Sequence, residues 1–226
     1  MRRNQTMDMA LDISNYLNEV YNDWEASRHK FLNNIYLQTY WPIPFFGNPR
    51  TAIVATVGVN PSSGEFKPER NWAAVQIKGD WKKRLKNYFI NATPPHKWFD
   101  SWRKSLKFLD VSYEGGTAAH FDVSYRPSRA MLKNPRTNPE EFRRMVERDV
   151  VWFFRLLPLC PNLRLLLTFG PIVRKNGSTE SLAQFLRNNA PKNGFTVSQD
   201  SKFWTLKHLD TGKRVCVHEV KRGLEL

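Results

Sequence analysis

"TAIVATVGVNPSSGEF", residues 51–66, decides the fold. β-Branched residues crowd its first nine positions, and such a run predicts a fully buried strand of a parallel sheet. The run rises through Gly58 and breaks at Asn60-Pro61, then turns through Ser62, Ser63 and Gly64. Pro61 stiffens that turn, while the small residues after it allow a backbone to come close. Asn60 has no useful basicity, but its amide can hold a water or a substrate through paired donors and an acceptor. The same segment equally suits an ordinary strand-end turn with the asparagine in an Asx role.

Three further strands are expected downstream. "AHFDVSYR" covers residues 119–126, "LRLLLTFG" covers 163–170 and "RVCVHEV" covers 214–220. Asp210-Thr211-Gly212 marks a hairpin turn just before the last of them. Helices separate the strands. Residues 8–39 carry apolar side chains at mixed three- and four-residue spacing with no Pro or Gly, and they end before Pro42, Pro44, Gly47 and Pro49. "DWKKRLKNYFINA" and "HKWFDSWRKSLKFLD" read as helices. So does "NPEEFRRMVERDVVWFFRLL", with Asn138 as N-cap, Pro139 at the first position and two glutamates in the first turn. "STESLAQFLRNN" follows, with Ser178 or Thr179 as its cap.

Alternation of strand and helix predicts a three-layer α/β/α fold around a central four-stranded, mostly parallel sheet. Residues 1–45 form an N-terminal helical arm and residues 46–226 the main domain. In such sheets ligands bind beyond the carboxyl ends of the strands. The loops at Gly58 to Ser63, Asp122 to Arg126, Phe169 to Pro171 and His218-Glu219 are therefore expected to meet. By alternation Asp122 opposes Phe121, and it can accept from the N–H of a heterocycle or serve as a structural carboxylate. His218 can donate to an oxygen on which charge builds, or simply be a polar boundary residue.

Lys and Arg total 35 against 21 Asp and Glu, a net charge of +14 over 226 residues. A surface that basic attracts polyanions, nucleic acid first and an anionic membrane surface second, because binding releases condensed counterions, and a soluble protein that is simply basic has the same composition. Aromatic residues interleave with bases in "WKKRLKNYF" and "WFDSWRKSLKF", as stacking and phosphate contact require. Helical core faces give the same pattern. The two cysteines, Cys160 and Cys216, do not make a disulfide framework, and they point to a reducing, intracellular compartment. No apolar stretch is long enough for a membrane helix. Dispersed His and Cys give no metal-site spacing, and neither a P-loop, a GxGxxG nor a GxSxG elbow occurs, so no metal or cofactor is expected. Oligomeric state is not encoded in any of these features.

Taken together, the strand ends resemble the uracil-DNA glycosylase superfamily over roughly residues 50–220. "VGVNPSSGEF" looks like the first family motif in its Asn-Pro form, found in the mismatch-specific uracil and thymine glycosylases. "ERNWAAV", residues 69–75, is similar to the Asn-Arg-Phe-Trp segment of that branch. "AHFDVS" falls where the family strand carries its base-reading residue, "RLLLTFGP" resembles the strand ending in an aromatic-glycine pair, and "RVCVHEV" falls where the second active-site motif starts. The chain departs from the family in two places. His218 is followed by Glu219-Val220-Lys221-Arg222 rather than Pro-Ser, and Asp122 stands where asparagine is usual.

The resemblance implies a hydrolase that flips a base out of the stack and cleaves its N-glycosidic bond. Asn60 would position water, and His218 would stabilise the departing base. Phe66 or Trp72 would stack on the base and Asp122 would read its edge. Gly58, Pro61, Ser62, Ser63 and Gly170 would complete the wall. A non-catalytic nucleic-acid-binding module on the same fold is the alternative.

Overall fold

A computed structural model describes residues 12–30, 41–66, 78–91, 95–128, 139–173, 179–200 and 203–220. All four expected strands form and lie side by side. β1 (Phe45–Phe46) is followed by β2 (Val54–Gly58), β3 (Ala118–Asp122) and β4 (Leu165–Thr168). β5 (Pro171–Val173) and β6 (Thr179–Ser181) make a separate two-stranded ribbon. β7 (Phe195–Asp200), β8 (Phe203–His208) and β9 (Arg214–Glu219) complete the main sheet, whose order is β1-β3-β2-β4-β9-β8-β7. The sheet has seven strands, not the expected four. The contiguous β3, β2, β4 and β9 are mutually parallel, and the additions are antiparallel: β1 on β3 at one side, β8 and β7 beyond β9 at the other.

Burial explains the division. The residues of β3 are all buried, as are those of β2 and β4 except for one at the end of each strand, hence their near-continuous apolar sequences. β9 alternates, with Val215 and Val217 buried and Cys216 exposed, because only one of its faces is covered. The Asp210-Thr211-Gly212 turn is present between β8 and β9. Gly212 sits at φ +66°, and the His208 N–H donates to the Lys213 carbonyl at 2.8 Å.

Six helices accompany the sheet among the described residues: α1 (Ile13–Ser27), α2 (Lys78–Lys86), α3 (Tyr88–Asn91), α4 (Asp100–Phe108), α5 (Pro139–Leu156) and α6 (Leu182–Asn189). The expected cap Asn138 lies outside the described residues, but Pro139 opens α5 with Glu140 and Glu141 in its first turn. The cap of α6 is Ser181, whose Oγ accepts the Gln184 N–H at 3.1 Å, and not Thr179, which pairs with Val173 in the ribbon; the other candidate, Ser178, lies outside the described residues. Tyr16, Leu17, Val20 and Trp24 of α1 belong to the common hydrophobic core. None of the described helices is long and apolar enough to cross a membrane.

A buried polar network ties α1 and α5 to the chain leaving β3. Arg126 and Asp149 are both fully buried, with Nε 3.0 Å from Oδ2. Arg126 also donates to Ser27 Oγ at 2.6 Å, and Ser124 Oγ donates to Asp149 at 2.6 Å. Asp23 accepts from the Tyr125 hydroxyl at 2.6 Å and pairs with Arg148 at 2.6 Å. The loop after β3 is thus held by charges from two helices.

Candidate active site

β2 is where the topology reverses: the chain leaves it for β3 on one side, and β4 returns on the other. Such a switch point opens a crevice at the carboxyl ends of the strands. Here it holds a cavity of about 210 Å³. Gly58, Asn60, Pro61 and Ser62 come from the end of β2, Asp122 from β3 and Gly170 from the end of β4, so six of the ten expected site residues line one space.

Two chains run on side by side beyond the sheet. Val123 and Ser124 donate backbone N–H groups to Gly58 and Val59, and Ser128 donates to Pro61 at 3.0 Å. Asn60 staples this pair of loops. Its Nδ2 donates to the Arg126 carbonyl at 3.0 Å, to the Pro61 carbonyl at 3.1 Å and to Ser128 Oγ at 2.7 Å. Carbonyl neighbours fix which way the amide faces, so Oδ1 is the acceptor end, and it has no hydrogen-bond partner among the described residues.

Register puts Thr56 beside His120 and Gly58 beside Asp122, so these side chains share one face of the sheet. Gly58 leaves room for both: a Cβ would stand 3.0 Å from Asp122 Oδ1 and 3.1 Å from the His120 ring, so those side chains would have to shift by a few tenths of an ångström. Asp122 is only 3% exposed. Its Oδ1 lies 3.4 Å from His120 Nε2, a long contact, and its Oδ2 has no hydrogen-bond partner among the described residues. Burial pushes the Asp122 carboxyl above its ordinary range, and the neighbouring His120 opposes that shift only in part.

Several residues without a sequence motif complete the site. Phe46, Trp98, Phe99, Phe142 and Phe169 supply ring surface. Glu65, buried on a 3-10 turn over Ser63–Phe66, accepts from the Tyr88 hydroxyl at 2.5 Å. Glu65, His96 and His120 also line the cavity. His96 Nδ1 accepts the Trp98 N–H at 3.1 Å, and its Nε2 would be 2.8 Å from a Cβ at position 64, which accounts for Gly64. His120 was legible from Asp122: two residues earlier in one strand means the same face.

The remaining expectations fall elsewhere. His218 does not line the cavity. It pairs in register with Leu167, which pairs with Thr56, so it sits level with the middle of β2 and two strands away. That is about 10 Å sideways from β2, and about 13 Å below the level four residues further on. Its ring instead lies 5.3 Å from that of Phe203. Phe66 packs into the core rather than the cavity. Ser63 opens the 3-10 turn that carries Glu65, and Trp72 lies outside the described residues. Among the described residues no three His, Cys, Asp or Glu side chains group as a metal site.

A scan against protein-family models finds no match to this chain, and a search of curated protein sequences finds none either.

Proposed function

We propose that the protein is a nucleic-acid base-excising hydrolase, an N-glycosylase of the uracil-DNA glycosylase type, with DNA as its partner and a three-layer α/β/α arrangement. The observation that carries this reading is the cavity at the switch point, lined by aromatic rings, by Asn60 and by Asp122, whose Oδ2 has no hydrogen-bond partner among the described residues. Flat apolar walls with a few convergent polar groups suit a heterocycle.

In this mechanism a flipped base enters between the rings, and Asp122 meets its polar edge. Asn60 Oδ1 accepts a hydrogen bond from a water, whose oxygen bonds to the sugar carbon. The C1′–N bond breaks, its electron pair leaves with the base, and the base takes up the proton that the water gives up. Positive charge on the sugar is opposed by the buried Glu65 carboxyl. Because His218 is outside the cavity, the leaving group is served by groups at the cavity wall, His96 among them. The net charge of +14 supplies phosphate attraction.

A non-catalytic binding module is the second reading. The triple engagement of Asn60 Nδ2 favours it, since stapling two loops is a structural task that needs no chemistry. Single-turnover incubation with oligonucleotides carrying uracil, hypoxanthine, guanine lesions or mismatches separates the two. Base release leaving an abasic strand supports the hydrolase. Salt-sensitive binding with an intact strand in every case supports the module.

A further inference from the structure

We propose that the cavity selects a heterocycle whose inner edge carries a ring N–H beside an exocyclic amino group, the edge of guanine and its derivatives, and that Asp122 reads it. This rests on the reading of the cavity as a base-binding site.

Asp122 lines the cavity, and among the described residues its Oδ2 is unpartnered and its Oδ1 makes only a 3.4 Å contact with His120. A buried carboxylate in that condition is costly, and a ligand is one means of completing it. Ionised, it has two coplanar acceptor oxygens and no donor, and two parallel N–H groups match it. Guanine offers such a pair through its ring N–H and amino group. Uracil presents one N–H between two carbonyl oxygens, which sets an acceptor against the carboxylate. Adenine and cytosine place a bare ring nitrogen beside the amino group. Hypoxanthine keeps the ring N–H but has no amino group.

One arrangement of the hydrogens behind His120 gives an acceptor-only carboxylate. The Tyr113 hydroxyl is 2.6 Å from Thr56 Oγ1, which is 3.0 Å from His120 Nδ1. If Tyr113 donates to Thr56 and Thr56 to Nδ1, the histidine hydrogen sits on Nε2, facing Asp122 Oδ1. Trp98 fixes the imidazole from one side, with ring centroids 4.6 Å apart. Burial raises the Asp122 carboxyl in the empty cavity, and paired N–H donors from a ligand would restore its charged form.

The test is equilibrium binding of deoxyguanosine, deoxyinosine and deoxyuridine to the full chain, followed by calorimetry. Deoxyinosine differs from deoxyguanosine only by the missing amino group. Deoxyguanosine is expected to bind at least about tenfold more tightly than either, the discrimination of one good bidentate pair, and Asp122→Asn removes that preference. Equal affinities, a preference for deoxyuridine, no binding of any nucleoside, or an Asp122→Asn protein that keeps the guanine preference would overturn the proposal. Should Asp122→Asn not fold, the wild-type comparison still decides. Selective deoxyguanosine binding without base release from any oligonucleotide defeats the hydrolase alone. Release of uracil without a guanine preference defeats this inference alone.

Discussion

Asn60 donates from Nδ2 to Ser128 Oγ at 2.7 Å, so the loop after β2 is fastened to the loop after β3 directly at the cavity. The arrangement gives Asn60 two tasks, and they can be separated. Asn60→Ala is expected to lower base release at least about 100-fold, the effect of losing a positioned reactant. Ser128→Ala removes one bond of the staple and is expected to cost about 1 kcal/mol in stability, with a smaller loss of release. Denaturant midpoints and single-turnover rates for the two variants check this.

Arg126 and Asp149 form a fully buried ion pair behind the same loop. Removing Asp149 leaves the buried Arg126 charge with its longer, 3.8 Å pairing to Asp23. Asp149→Leu is therefore expected to cost about 3–5 kcal/mol. Replacing both residues with apolar ones of similar volume is expected to recover much of that loss, measured by urea unfolding.

Gly58 lets the Asp122 and His120 side chains lie against β2. Gly58→Ala forces a Cβ to within 3.0 Å of Asp122 Oδ1. The expected result is a stability loss of about 1 kcal/mol, with a larger proportional loss of nucleoside affinity because the reading group is displaced. Calorimetric binding and thermal unfolding of the same sample separate the two effects.

Asp122 also gives a pH signature. Its folded-state carboxyl is raised by burial, so the folded protein holds a proton that the unfolded chain has released over the interval between the two values. Its contribution is most favourable below the ordinary aspartate range near pH 4 and is lost as pH rises through the folded value. Wild type is thus expected to lose stability relative to Asp122→Asn on going from pH 4 to pH 8. Whatever constant offset the amide introduces, the change in the difference remains. A difference that stays flat with pH contradicts the assignment.

Much of this arrangement is legible in the chain. The four parallel strands announce themselves as apolar runs because sheet interiors demand them. β1 is two residues in a Pro- and Gly-rich stretch, and β5 and β6 are three each, too short to carry a period. β7, "FTVSQD", is held by its pairing with β8 rather than by hydrophobicity. The site divides the same way. Gly58, Asn60, Asp122 and Gly170 stand out because strand ends at a switch point are ligand positions. Glu65, His96, Trp98 and Phe142 arrive on turns and helices whose docking no local pattern records. His218 failed because a strand-end motif does not fix the strand's place in the sheet: β9 lies beyond β4, three strands from β3, so His218 stays outside the cavity although it is level with His120.

In the proposed reaction the cavity at the β2, β3 and β4 ends excises a base with Asn60 as the water-holding group. The most direct measurement is single-turnover base release by wild type, Asn60→Ala and His218→Ala on the same oligonucleotide panel. The account predicts release by wild type and by His218→Ala at similar rates, and loss of at least about 100-fold in Asn60→Ala with DNA binding retained. No release from any substrate, or equal release by wild type and Asn60→Ala, would contradict it.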